Sequence, residues 1–372
     1  MSVRDIIARG GKRKLLAIDG GGIRGVLSIE VLSQIEHLAR YAYGDRDLVL
    51  ADCFDYFAGT STGAIIATAL AVGMPVDEIR TLYVDAGPLM FSPARLRERL
   101  RFHYDDEPLA TMLKDRLGAD TTLGSDSVRT LLLLVLRDAT TDSPWPVSNN
   151  PDALFNDPAL PSCNLRFPLW QLVRASTAAP LFFPPEVITI GGREHVFVDG
   201  SLTPYANPAF QLFLMATVDS YRLGWPCGED KLLLVSVGTG MPSRAVPGLA
   251  PEKMTLLFQA TTVPQAMLSA GIVAQDMLCR VFGRCRTGAE IDTEVGDLAD
   301  SKGPVEPKLF TYLRYDIELA RASLDRAGLQ KVTDLARLRH PDAVRAIADL
   351  QAIGRALGGS VVPEHFAGFY PG

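Results

Sequence analysis

Ser61 lies in Gly59-Thr60-Ser61-Thr62-Gly63, a G-x-S-x-G pentapeptide. Between a strand and a helix, that pattern forms a nucleophile elbow, in which small flanking residues permit a sharp turn and keep bulk away from the hydroxyl. The helix behind it brings unpaired N–H groups and a positive dipole end to the place where an oxyanion would develop. The pentapeptide reads equally as a glycine-rich turn with a Ser or Thr N-cap. A second glycine turn is Asp19-Gly20-Gly21-Gly22-Ile23-Arg24-Gly25. Gly20, Gly22 and Gly25 fit G-x-G-x-x-G after a strand, the pattern of a dinucleotide-binding turn. The next strand, however, ends in the serine turn and not in a ribose-binding acid. The turn reads better as an oxyanion hole: Gly20, Gly21 and Gly22 expose backbone N–H groups at a helix start, and Arg24 braces the loop or adds donors. The third piece is Asp199, in Val198-Asp199-Gly200-Ser201 at a strand end. Alone it reads as an Asp-Gly turn.

A hydroxyl nucleophile needs a base. The five histidines are His37, His103, His195, His340 and His365. His195 precedes Asp199 by four residues, about 13 Å along a strand at ~3.3 Å per residue, too far for a hydrogen bond. No other histidine sits in a motif. The simpler proposal is a Ser–Asp dyad in which Asp199 takes the proton. Two alternatives stay open: a Ser–Asp–His triad using His340 or His365, and a non-hydrolytic nucleotide sensor holding its ligand at residues 20–25. An ordinary carboxylate of pKa ~3.9 is a weak base, so a working Asp199 must be buried and its pKa raised.

The elements that position these residues follow from periodicity. Residues 15–18 and 54–58 are short apolar strands, each ending in a glycine turn, and residues 25–39 and 64–72 carry apolar side chains at helical spacing. Strand, turn, helix, repeated twice, implies a parallel sheet covered by helices. Residues 131–135 and 231–237 are further strands, 168–179 a helix, and 186–190 with 194–198 a hairpin across Gly191-Gly192. Residues 85–127 read as a mobile insertion, 140–163 as a long loop, and the chain beyond about 250 as mostly helical, with a boundary near 245.

Composition narrows the class. Of 372 residues, 47% are hydrophobic and 22% charged, which excludes a mainly disordered or fibrous chain. The net charge of −6 argues against a nucleic-acid polymer as partner. Cys53, Cys163, Cys227, Cys279 and Cys285 are odd in number and scattered, fitting neither a disulfide framework nor a zinc site, so no metal is expected. The start of the chain lacks an apolar signal core, and no apolar run reaches the ~20 residues of a membrane span. The expectation is a cytoplasmic protein with at most peripheral membrane contact. The basic run 95–101 reads as a solvated helix face, or as an amphipathic lid touching anionic lipid. Asp105-Asp106-Glu107 lacks alternating ligand spacing and reads as a solvated loop.

Taken in this order, the glycine loop, the G-x-S-x-G turn and Asp199-Gly200 resemble the patatin-like phospholipase family. Arg174-Ala175-Ser176-Thr177-Ala178-Ala179-Pro180, with Phe182-Phe183-Pro184-Pro185, resembles that family's stretch before its catalytic Asp. The resemblance covers residues 13–210. It implies a three-layer α/β fold with a central, mostly parallel sheet flanked by helices, a Ser61–Asp199 dyad, an oxyanion hole from Gly20, Gly21, Gly22 and Arg24, and motif glycines Gly25, Gly59, Gly63 and Gly200. The reaction it implies is acyl-ester hydrolysis of membrane phospholipids without metal or cofactor. Ser201 stands where the family usually has Ala or Gly. The sheet is expected to continue to about 245, with a mainly helical extension over 246–372. Size and the helical extension resemble bacterial patatins switched on by cyclic dinucleotides in antiphage defence. Arg280, Arg284, Arg286 and Arg314, near Phe282, Tyr312 and Tyr315, are the candidate contacts for such an activator.

Overall fold

The computed structural model describes residues 2–93, 102–243, 248–299 and 301–371, less the side chains of 86, 257 and 261. The expected strands and helices of the first half are present. β1 (Arg13–Ile18), β2 (Tyr56–Thr60), β3 (Leu131–Asp138), β4 (Ser143–Ser148), β5 (Glu186–Ile190), β6 (Arg193–Asp199) and β7 (Leu232–Val237) share one sheet with two C-terminal strands. A two-residue strand, β8 (Met241–Pro242), lies outside it. β9 (Arg284–Thr287) and β10 (Thr311–Tyr315) extend the main sheet, and β11 (Glu318–Leu319) pairs with β8.

The order is β5-β6-β3-β2-β1-β7-β10-β9, with β4 also on β3. β3, β2, β1, β7, β10 and β9 run parallel, and β4, β5 and β6 supply the antiparallel pairs. Period-two alternation sends neighbouring side chains to opposite faces. Leu16, Ile18 and Phe57 enter one core, against the helices Gly25–Tyr43, Thr62–Ala71 and Ile347–Gly358. Leu15, Ala17 and Tyr56 enter the other, against the helix Ala209–Thr217 and the end of the helix Leu256–Phe282. Helices therefore cover both faces, making three layers.

Three expectations are corrected. The region after 245 is mainly helical, but the sheet does not stop there: β10 pairs with β7 over Thr311↔Leu233 to Tyr315↔Val237. Its five residues are all buried, so the local helical pattern around it gave way to long-range pairing. The expected long loop 140–163 opens with β4, where Pro144 and Pro146 sit opposite Arg137 and Val135. Those prolines mark an edge strand with fewer donors to offer. The expected insertion 85–127 contains the helix Glu107–Leu117 and the end of the helix Val76–Met90, which continues through Pro88. The basic run 95–101 lies outside the described residues.

Candidate active site

The site lies where parallel strands end together. Asp19 follows β1, Ser61 follows β2, Thr239 comes two residues after β7 and Asp316 follows β10. In an open α/β sheet this edge is where ligands bind.

β3 brings the two motif residues into contact. It pairs with β4 along one edge over residues 133–138. The other edge takes β2 up to Thr60↔Val135 and β6 from Leu136↔Asp199. The ends of β2 and β6 therefore abut, one register step apart. Ser61 Oγ donates a 2.6 Å hydrogen bond to Asp199 Oδ2. The other carboxylate oxygen, Oδ1, accepts the Ser201 N–H at 2.7 Å.

Ser61 has φ 56° and ψ −122°, the left-handed region that an L-residue enters only under constraint. The surroundings supply that constraint. The Ser61 N–H donates to Ser176 Oγ at 2.9 Å, and Ser176 Oγ donates to the Val135 C=O at 2.6 Å. A side chain at Gly63 would strike the Ile18 carbonyl, and one at Gly59 the Gly63 carbonyl. The elbow is thus pressed onto β1. Gly200 fits as closely against the Val135 carbonyl.

Ser61 is 8% exposed and Asp199 3%. Burial pushes the Asp199 carboxyl above the ordinary aspartate range. The Ser61 hydroxyl, the N–H and hydroxyl of Ser201, and the Arg174 cation partly offset that rise.

The glycine loop faces the dyad, and a side chain on Gly20 would meet Ser201 Oγ and approach Ser61 Cβ. Its donors are divided. The Gly20 N–H donates to the Ala206 C=O at 2.9 Å and the Ile23 N–H to the Pro341 C=O at 2.7 Å. Among the described residues the N–H groups of Gly21 and Gly22 have no such partner. Arg24 is buried and reaches the Arg339 C=O at 3.3 Å. Of the expected oxyanion residues, Gly20 thus has its N–H taken by a backbone carbonyl, whereas the N–H groups of Gly21 and Gly22 do not.

Of the four arginines expected to meet a nucleotide, Arg314 and Arg280 are buried in internal ion pairs, whereas Arg284 is half-buried and Arg286 exposed. Arg314 is buried. It grips both oxygens of Asp19 at 3.0 and 2.7 Å, Asp316 at 2.6 Å and Ser236 Oγ at 2.7 Å. Arg280 is buried against Asp276 and the carbonyls of Ala289 and Asp297. Arg284 pairs with Glu229 and Glu306, and Arg286 donates to the carbonyls of His365 and Ala367. Asp106, expected in a solvated loop, pairs with the fully buried Arg174 at 3.2 Å.

Among the described residues no histidine is hydrogen-bonded to Ser61 or Asp199. His195 bonds Asp138 at 2.7 Å and His365 bonds the Tyr315 hydroxyl at 2.8 Å. His340 is in the cavity wall, but the Ser61 hydroxyl donates its hydrogen bond to Asp199.

Ser61 and Asp199 open into a cavity of about 420 Å³. Its wall is largely apolar, with Ile65, Met90, Phe91, Leu109, Phe182 and Phe183 among its residues. The sequence motifs do not reveal Ser176 as the elbow's anchor, although it lies in the recognised Arg174–Pro180 stretch. Thr239, whose Oγ1 donates to the Gly20 C=O at 2.9 Å, and Pro341 carried no signal at all.

Fold and site together define a class: three-layer α/β proteins with a buried serine on a strained strand-to-helix elbow. The model of the patatin-like phospholipases matches residues 16–213, more than half of the chain, and the protein belongs to that family. Patatin-17 of Solanum cardiophyllum is 30% identical over 246 residues, covering 62% of this chain and 61% of that one. A cGAMP-activated phospholipase of Escherichia coli (strain TW11681) is 26% identical over 248 residues, 64% of this chain and 66% of that one. An intracellular phospholipase A2 of Caenorhabditis elegans is 30% identical over 264 residues, 68% of this chain and 22% of that one. The chain thus matches less than two thirds of the length of these relatives.

Proposed function

We propose that this protein is a serine lipid acyl hydrolase that releases fatty acids from phospholipids by a Ser61–Asp199 dyad. The observation that carries the reading is the 2.6 Å Ser61–Asp199 hydrogen bond in an apolar cavity. Ser61 Oγ attacks the ester carbonyl while its proton passes to Asp199 Oδ2. The N–H groups of Gly21 and Gly22 hold the oxyanion. Asp199 then gives its proton to the departing alkoxide, leaving an acyl-serine. Water attacks the acyl group, Asp199 takes a proton from it, and that proton returns to Ser61 as the fatty acid leaves. The raised pKa makes Asp199 a stronger base than an exposed carboxylate.

Activation by a cyclic dinucleotide belongs to the same proposal and is supported by the name of the Escherichia coli relative. The test is fatty-acid release from mixed phospholipid vesicles, comparing wild type with Ser61→Ala, with and without a panel of cyclic dinucleotides. Release by wild type alone, lost in the variant, supports the hydrolase. Release only with one nucleotide supports gating, and equal release without any removes it. Silence in every arm, with no labelling of Ser61 by a fluorophosphonate, overturns the hydrolase in favour of a binding protein.

A further inference from the structure

The helix Leu256–Phe282 has a face that the proposed chemistry leaves idle. Its inner face supplies Gln265, Leu268, Ser269 and Ile272 to the cavity wall. Gln265 is also exposed, so the helix forms part of the cavity rim. Its outer face carries Leu256, Val263 and Met267, exposed by 87%, 51% and 68%. Ala260 and Ala270 are exposed between and beyond them. Leu256, Ala260, Val263, Met267 and Ala270 recur at steps of four and three, which places them in one stripe about 21 Å long at 1.5 Å per residue. Leu202, two residues beyond Gly200, also lines the cavity and is exposed.

A surface helix normally offsets its apolar stripe with a charged outer face. Here no residue from Met254 to Gln275 is charged. Two occupants suit an apolar stripe with this spacing: a second helix or a lipid surface. Helix pairing of this kind relies on charged flanks to choose partner and register, and it needs a regular helix. The exposed flanks here are Gln259, Pro264 and Ala266, none of them charged, and Pro264 also breaks the helix's hydrogen-bond ladder. Bilayer contact needs neither charges nor regularity. It also explains why the stripe backs onto the cavity rim.

We propose that the outer face of this helix, with Leu202, docks on a phospholipid bilayer and presents the cavity rim to the acyl chains. The helix lies in the interface and does not span it: no helix among the described residues is long and apolar enough to cross a membrane. The proposal rests on the lipid-hydrolase reading, and its test separates the two. The full chain is floated with vesicles of phosphatidylethanolamine and phosphatidylglycerol, and its hydrolysis of a water-soluble short-chain ester is measured alongside. Val263→Glu with Met267→Glu should weaken vesicle binding by at least ~10-fold and leave soluble-ester hydrolysis within about twofold. Tyr41→Glu is the control. Tyr41 is 84% exposed near the far end of the helix Gly25–Tyr43, and its charge should leave binding unchanged. Unchanged vesicle binding in the double variant overturns the proposal, as does an equal loss with Tyr41→Glu. So does a homodimer that the double variant dissociates while vesicle binding persists. Stripe-dependent vesicle binding by a wild type that cleaves no ester upholds the surface and overturns the hydrolase.

Discussion

The segment from β1 to the helix Thr62–Ala71 and the segment after residue 245 meet at the same site by different routes. The first is built locally. Each strand runs straight into its glycine turn and helix, and the elbow around Ser61 is shaped by its own glycines against β1, with one distant anchor at Ser176. The second reaches the site only through distant contacts. Arg314 comes from β10 to hold Asp19, the residue before the glycine loop, and the Pro341 carbonyl takes the Ile23 N–H from the other side. Local construction leaves a motif in the sequence. Long-range construction leaves single residues whose partners lie hundreds of positions away. Yet the second route holds the loop on which the first depends.

The comparison can be tested at four levels of effect. The largest losses belong to the dyad: Ser61→Ala and Asp199→Asn should each lower kcat by at least ~1000-fold, measured on a soluble ester. Asp199→Asn should also leave the melting temperature unchanged or raised at neutral pH. Burial raises the folded-state pKa of Asp199, so folding disfavours its charged form. The stability tied to the protonated form is present at low pH and lost as pH rises through that pKa, and neutral Asn avoids the loss. A cooperative but less stable Asp199→Asn would refute this.

Next comes the distant brace. Arg314→Met leaves the buried Asp19 carboxylate unpaired and should cost about 3–5 kcal/mol by chemical denaturation. Adding Asp19→Asn should recover part of that cost, because the stranded charge is gone. If Arg314→Met folds stably with full activity, the C-terminal segment is not a brace.

The pH dependence is smaller. Below the raised Asp199 pKa, kcat/KM should fall about tenfold per pH unit as the base is protonated. The decline should begin at a higher pH than an ordinary aspartate would give. A profile flat to acid would remove Asp199 as the base. The smallest effect is expected at the histidines, where His340→Ala and His365→Ala should each change kcat by no more than about threefold. A loss as large as that of Asp199→Asn would restore a triad.

What was legible follows the same division. Ser61, Asp199 and the glycine loop are legible because their residue types stand at fixed short spacings beside apolar runs. Asp199 follows from the absence of a histidine in any motif, and its Oδ2 lies 2.6 Å from Ser61 Oγ. The burial of Arg280 and Arg314 is not legible in the sequence because guanidinium beside aromatic rings fits a nucleotide and a buried ion pair equally well, and only tertiary contact separates them. β4 was missed because Pro144 and Pro146 are ordinary loop signals until a neighbouring strand is known. β9 was missed because Arg284-Cys285-Arg286-Thr287 has no apolar alternation. Pairing with β10 decides it.

The abutting of β2 and β6 on one edge of β3 makes that strand a ruler. Thr60, the residue before Ser61, is set against Val135 and Asp199 against Leu136, so the two strand ends that carry Ser61 and Asp199 are one backbone increment apart. An extra residue inserted between Val135 and Leu136 would slide one mark past the other by about 3.4 Å, more than the hydrogen bond itself spans. Loops around the cavity can be exchanged or lengthened without touching that scale. A redesign of the cavity can vary apolar wall residues such as Phe182 and Leu109, but must leave the length of β3 and the braces at Thr239 and Pro341 alone.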